Sequence, residues 1–181
     1  MSTKILLIVL ILSHFDNSLA DPLIKLPNGL IQGRQGITFH NKTFYAFEKI
    51  PYAAPPVGEL RFQAPKPPQN WEGTLNTTHL DVSCHQEGIV GDYESEDCLY
   101  INVFTPQLPS EDDNVSLPVM FFIHGGAFKV GSSMNLASDL ITDNGVILVT
   151  INYRLGPLGF LSTQDEIVPG NNGLKDQLLA L

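Results

Sequence analysis

The 181-residue sequence lacks the marks of several common functional classes. Its 10 basic residues, against 19 acidic ones, give a formal charge of −9 and form no basic cluster. Because nucleic-acid binding relies on clustered lysine and arginine to neutralise phosphates, no nucleic-acid partner is expected. The histidines lack metal-ligand spacing, and the acidic residues at 87–97 and 111–113 match no EF-hand pattern, so no metal site is expected.

Long apolar runs are also absent after residue 20, so the sequence predicts no transmembrane segment in this chain. Residues 1–20 contain Lys4, the apolar run Ile5–Leu12 and a small-residue end at Ala20. This order is typical of a secretory signal peptide, since the run is too short to span a bilayer. We therefore expect residues 21–181 to be secreted or extracellular, and a lipid anchor attached further along the chain stays an open alternative.

Cysteine is scarce, with Cys84 and Cys98 as the only two. In an exported chain they are expected to form a disulfide, which would close a loop of about 15 residues and contribute roughly 3 kcal/mol. A pair of buried free thiols is the alternative. Three Asn-x-Ser/Thr sequons, at Asn41, Asn76 and Asn114, are candidate glycosylation sites and should lie at the surface.

The pentapeptide Gly-x-Ser-x-Gly, which places a nucleophilic serine on a sharp strand-to-helix turn, is absent from these residues. An apolar run, Val119–Ile123, is typical of a central strand buried on both faces. It is followed directly by His124, Gly125, Gly126 and Ala127. Glycine frees the backbone at this point, so successive N–H groups can be presented to a developing negative charge. An ordinary tight turn is the alternative.

Turn residues and hydrophobic periodicity predict a small antiparallel meander at the start of the mature chain. Asn28-Gly29 is a hairpin turn signal between two short strands, and a third strand follows at 44–50. The later elements are predicted in this order: strand 98–105 near a sheet edge, central strand 119–124, helix 137–142, central strand 146–151 and helix 173–181. Alternating strands and helices predict an α/β fold with mostly parallel central strands and crossover helices.

Four segments carry motifs that occur together in one known family. They are Phe47–Gly58, Ser95–Phe104, Asn152–Gly156 and Gly170–Gln177. In this order they resemble the type-B carboxylesterase/lipase, or cholinesterase-like, family, from about Asp21 to the last residue. The resemblance implies the N-terminal part of an α/β-hydrolase fold that ends before the nucleophile elbow.

The resemblance also implies an activity. It indicates a carboxylic ester hydrolase that works through a serine acyl-enzyme, needs no cofactor and acts on a small-molecule ester. A non-catalytic cholinesterase-like binding or adhesion domain is the alternative, since one fold hosts both kinds of protein. The segment between Cys84 and Cys98 contains no tryptophan, unlike that of cholinesterases, which argues against acetylcholine as substrate. Nothing in the sequence predicts an oligomeric state.

By the same resemblance, the backbone N–H groups of Gly126 and Ala127 belong to an oxyanion hole. His124 and Gly125 support that loop, and His124 is structural because the catalytic histidine of this fold comes last in the chain. Without the serine, residues 1–181 alone are expected to be inactive. If they were the whole product, strand 146–151 would be left as an exposed sheet edge.

The resemblance further implies two structural ion pairs. They join Arg61 with Glu96, and Arg154 with Asp176. Each of these charges sits in an otherwise apolar or loop-like motif, where a buried charge needs a partner.

Overall fold

The computed structural model describes residues 21–88, 93–109, 116–134 and 136–181. The strands are β1 (Leu23–Leu26), β2 (Gly29–Gln32), β3 (Arg34–Ile37), β4 (Thr43–Pro51), β5 (Thr74–Asn76), β6 (Ser83–Cys84), β7 (Glu94–Ser95), β8 (Tyr100–Thr105), β9 (Val119–Ile123) and β10 (Ile147–Ile151). The helices are a 3-10 turn (Gly58–Leu60), α1 (Ser138–Asp143), α2 (Gly156–Phe160) and α3 (Asn172–Ala180). The predicted signal peptide, 1–20, and the sequon at Asn114 lie outside the described residues.

The predicted N-terminal meander is divided between two sheets. β1 and β2 form an antiparallel hairpin, and β5 joins β2 in parallel to give the order β1-β2-β5. β3 and β4 belong to the main sheet instead. The chain changes sheet at Gly33, where a Cβ would lie only 2.5 Å from Ala46 O, so the missing side chain permits the close crossing.

The main sheet has five strands in the order β3-β4-β8-β10-β9. Among the described residues β9 and β10 are its one parallel pair, while β3–β4, β4–β8 and β8–β10 are antiparallel. The two strands predicted to be central, β9 and β10, are parallel to each other as expected. β8, which was predicted near a sheet edge, instead inserts between β4 and β10 and is antiparallel to both, so it does not lie beside β9, its successor in the chain.

The positions of β8, β9 and β10 also differ from those expected. β8 lies inside the sheet, and β10 has a neighbour on each side, so β10 is not an exposed edge. β9 is the outer strand of the described sheet, with Val119 62% and Met120 47% exposed. A run of apolar residues indicates that a strand can be buried, but it does not indicate which neighbouring element covers that strand.

The largest buried apolar cluster of the described residues lies around the carboxyl end of β10. Ile151, Tyr153 and Leu155 pack there with Leu99 and the Cys84–Cys98 disulfide. α3 approaches this region through its first turn, because a Cβ on Gly173 would lie 2.5 Å from Arg154 O. Leu174 and Leu178 of α3, and Leu181 directly after it, are all exposed.

Candidate functional site

The segment after β9, residues 124–131, is here called the donor loop. Gly126 closes it, since its carbonyl accepts hydrogen bonds from the N–H groups of Lys129 at 3.0 Å and Val130 at 3.1 Å. A Cβ on Gly126 would lie 1.7 Å from Val130 O, and its φ of 113° disfavours any side chain. Only glycine fits this position without moving the loop.

The next two residues continue in the left-handed region. Ala127 has a φ of 54° and Phe128 a φ of 62°, conformations that cost a non-glycine residue about 1 kcal/mol each. Contacts at Phe128 hold the turn in place. The N–H of Gly156 donates to Phe128 O at 2.7 Å, and the Phe128 ring lies 5.1 Å from that of Phe160. Unfavourable conformations that persist in this way are concentrated at functional sites.

The turn leaves adjacent backbone donors without a partner. Among the described residues, the N–H groups of Gly126 and Ala127 find no acceptor, and neither do those of Gly125 and Phe128 on either side, while those of Lys129 and Val130 are satisfied within the loop. Gly126 and Ala127 are both exposed. Consecutive free N–H groups in a turn of this kind form a small positive concavity that suits an anionic oxygen.

His124 holds the start of the donor loop. It is 6% exposed, and its Nδ1 lies 2.9 Å from Gly125 O. Its ring stacks on Tyr153 at 4.4 Å, and the Tyr153 hydroxyl donates to His124 O at 3.0 Å. Burial lowers the pKa of His124, so the imidazole is neutral at physiological pH. Among the described residues no carboxylate is paired with this ring, so it lacks the orienting acid that a catalytic histidine has.

A buried network of polar side chains, which the sequence interpretation missed, holds the residues after the loop. Ser133 donates its N–H to Asn152 Oδ1 at 3.0 Å, and Asn102 Nδ2 donates to Ser133 Oγ at 3.0 Å. Asn152 Nδ2 donates in turn to Val82 O at 2.9 Å. A signal was present, because an asparagine within or directly after an apolar strand needs a specific partner once it is buried.

The structure brings Arg154 and Asp176 together in the interior. Arg154 Nε lies 2.8 Å from Asp176 Oδ2, and Nη2 lies 2.7 Å from Oδ1. The Arg154 backbone N–H also donates to Oδ2 at 3.1 Å, and Nη1 donates to Gln63 O at 2.8 Å. These contacts tie the segment after β10 to the first turns of α3.

Arg61 and Glu96 also meet, but nearer to the solvent. Their two hydrogen bonds measure 2.5 Å from Nε to Oε2 and 2.6 Å from Nη2 to Oε1. The hydrogen bond from Arg61 lowers the pKa of Glu96. The planar guanidinium holds the carboxylate at two points, which fixes its orientation.

The remaining predicted residues are the cysteines and the glycosylation sequons. Cys84 and Cys98 form a disulfide, and both are buried. The sequons at Asn41 and Asn76 lie on the surface, as acceptors must. In the described part of the chain no cluster of metal-ligating side chains is found. None of the described helices has the length and apolar character to cross a bilayer.

The parallel β9–α1–β10 unit with its glycine-rich loop is consistent with an α/β-hydrolase fold, and the similarity to solved structures identifies this class. Juvenile hormone esterase from Manduca sexta, solved with OTFP covalently attached, matches with a TM-score of 0.81 and 34% identity, over 88% of this chain and 31% of that chain. A solved PNB esterase matches with a TM-score of 0.76 and 42% identity, over 89% and 33%. The predicted fold class is thus confirmed.

The family follows from the sequence comparison. The pattern of the Carboxylesterase family matches residues 20–181, so the chain belongs to this family, as its motifs indicated. A "Carboxylic ester hydrolase" of Bombus ignitus is 46% identical, over 88% of this chain and 30% of the relative. "Juvenile hormone esterase" of Tribolium castaneum is 44% identical, over 88% and 28%. The chain therefore spans less than a third of the length of these curated relatives.

Proposed function

We propose that this chain is the N-terminal part of a secreted carboxylic ester hydrolase in which Gly126 and Ala127 supply two donors of the oxyanion hole. The observation that supports it best is the pair of adjacent, exposed and unpartnered N–H groups in the donor loop. Membership of a family that includes a carboxylic ester hydrolase and a juvenile hormone esterase agrees with this role.

In the proposed reaction, a serine from a later part of the full-length protein attacks the carbonyl carbon of a small-molecule ester. The carbonyl oxygen becomes negatively charged, and the N–H groups of Gly126 and Ala127 donate to it. The alcohol then leaves, and water hydrolyses the acyl-enzyme. One such donor is worth about 3 kcal/mol of transition-state stabilisation. The donors are backbone groups, so the reaction needs no metal or organic cofactor at this loop.

The other predicted residues have supporting roles in this proposal. His124 and Gly125 hold the entry of the donor loop, while Arg154 with Asp176 and Arg61 with Glu96 fix the segments around it. The signal peptide at 1–20 directs export, and Asn41, Asn76 and Asn114 accept glycans. Residues 1–181 by themselves are inactive, because they lack the Gly-x-Ser-x-Gly nucleophile.

The test uses the full-length protein from the complete reading frame and p-nitrophenyl acetate as the probe. The wild type should hydrolyse it with a burst of one p-nitrophenol per molecule. Gly126→Ala should lower kcat/KM by about 100-fold or more, because its methyl group displaces the loop at Val130 O. Gly125→Ala, which meets no atom within 4 Å, should cost much less.

Equal losses in these two variants would contradict the assignment of the donors. A full-length wild type with no burst and no turnover would overturn the hydrolase itself. The alternative from the sequence, a non-catalytic binding or adhesion domain, would then remain.

A further inference from the structure

Gln86 connects the far end of the donor loop to the disulfide-closed segment. Its Oε1 accepts a hydrogen bond from the N–H of Gly131 at 2.7 Å, and its Nε2 donates to Gly131 O at 3.0 Å. The same Nε2 donates to Cys84 O at 3.1 Å. A carboxamide is a side chain with both a donor and an acceptor in one plane, so it can pair with both polar groups of one backbone residue.

Gly131 transmits this contact to the start of the loop. A Cβ at Gly131 would lie 2.3 Å from His124 Nδ1 and 2.5 Å from Gly125 O. The Gly131 backbone therefore lies directly against the two residues that precede the free donors. A shift of Gly131 would remove the support behind His124 and Gly125.

We propose that Gln86 is a positioning residue for the oxyanion hole, an inference that rests on the proposed esterase function. Gln86 holds Gly131, Gly131 holds the entry of the loop, and the loop holds the N–H groups of Gly126 and Ala127. Oxyanion donors act over a narrow range of distance, about 2.7–3.1 Å. A misplacement of about 1 Å can cost roughly 100-fold in rate even when the altered residue does not touch the substrate.

The test compares Gln86→Ala and Gln86→Glu with the wild type in the full-length protein. The glutamate variant keeps the shape and the acceptor for Gly131 N–H, but its second oxygen then faces two carbonyl oxygens, those of Gly131 and Cys84. For p-nitrophenyl acetate, kcat should fall about 10- to 100-fold in both variants, while KM changes less than about threefold. A residue that only supported folding would lower the amount of active protein and leave kcat per active site unchanged.

The pH dependence separates the two variants. Protonation of the introduced carboxylate restores an O–H donor toward the carbonyl oxygens. The ratio of the Gln86→Glu kcat to the wild-type kcat should therefore rise as pH falls from 8 to 5, while the Gln86→Ala ratio stays level. The matched control is Gln69→Glu, an exposed glutamine that has the same change of charge and should retain wild-type kcat.

Two results would overturn the inference. One is a kcat within twofold of wild type in both Gln86 variants, measured per active site by burst titration. The other is unchanged hydrogen exchange at the Gly131 amide in Gln86→Ala, since this N–H would then not depend on Gln86. If the wild type itself is inactive, the proposed function fails, and the exchange measurement still decides whether Gln86 holds the loop.

Discussion

Among the doubly hydrogen-bonded arginine–carboxylate pairs of the described residues, Arg154–Asp176 and Arg61–Glu96 share one geometry but lie in different surroundings. Arg154 and Asp176 have side chains 4% and 0% exposed, while those of Arg61 and Glu96 are 44% and 22% exposed. Both pairs are held by two hydrogen bonds, from Nε and from Nη2. If distance alone decided how much each pair stabilises the fold, the Arg61–Glu96 pair would contribute more, since its contacts are the shorter ones.

Burial reverses that ranking. The interior pair has lost its water, so each charge depends on the other and on the backbone groups around them. Those groups are in place, because Asp176 also accepts from the Arg154 N–H and Arg154 also donates to Gln63 O. At the surface, water and salt screen the Arg61 pair and can replace either partner. A lost partner is therefore costly only where solvent cannot substitute for it.

Asp176→Asn should give the largest effect, because it leaves the Arg154 guanidinium buried without a counter-charge. We expect a loss of about 3–5 kcal/mol in the free energy of unfolding. Urea denaturation of the full-length protein measures it. The control is Glu72→Gln, an exposed side chain that loses the same charge. Equal midpoints for the two variants would contradict the argument from burial.

The disulfide is near both arginines, since Cys84 and Cys98 line one small cavity with Arg61, Glu96 and Arg154. Replacing both cysteines with serine should cost about 3 kcal/mol, because the bond closes a loop with a sequence separation of 14. Thermal melting with and without reductant measures this. Reductant should destabilise the wild type by about this amount more than it destabilises the double variant. A double variant with the same melting temperature as the oxidised wild type would contradict the prediction.

The sequence predicted local structure more closely than the arrangement of strands. The expected helices at 137–142 and 173–181 are found at Ser138–Asp143 and Asn172–Ala180. The end of the first is a local feature, because Asn144 Nδ2 donates to Leu140 O and the Gly145 N–H donates to Thr142 O. The strand order of the main sheet could not be predicted from the sequence. It depends on the insertion of β8 between β4 and β10, and these contacts join distant parts of the chain. No local pattern encodes such a choice of neighbour.

In the candidate site too, local features were predictable from the sequence and contacts between distant residues were not. The glycines after β9 indicated an unusual turn, and the family resemblance supplied the choice of Gly126 and Ala127. Nothing in the sequence indicated that Phe128 would also take a positive φ, or that Gln86 would pair with Gly131 across 45 residues. Gln86 lies in a polar loop. In such a loop, the sequence does not distinguish a glutamine that contacts a distant backbone from one that is only solvated.

Glu96→Gln should give the smallest effect and completes the comparison with Asp176→Asn, since each variant removes one carboxylate charge from a doubly hydrogen-bonded pair. The hydrogen bond from Arg61 lowers the pKa of Glu96 in the folded protein. Its stabilising contribution is therefore present above the unfolded pKa, about 4.3, and is lost as pH falls through the lower folded value.

We accordingly expect the melting temperature of Glu96→Gln to lie less than about 2 °C below wild type at pH 7. The difference should shrink as pH falls below the unfolded pKa, about 4.3, and disappear once pH lies below the lowered pKa of Glu96 in the folded protein. Added salt should also reduce it at pH 7, because the pair is open to solvent. A loss as large as that of Asp176→Asn, insensitive to salt, would show that solvent does not replace the missing partner and would remove the distinction between the two pairs.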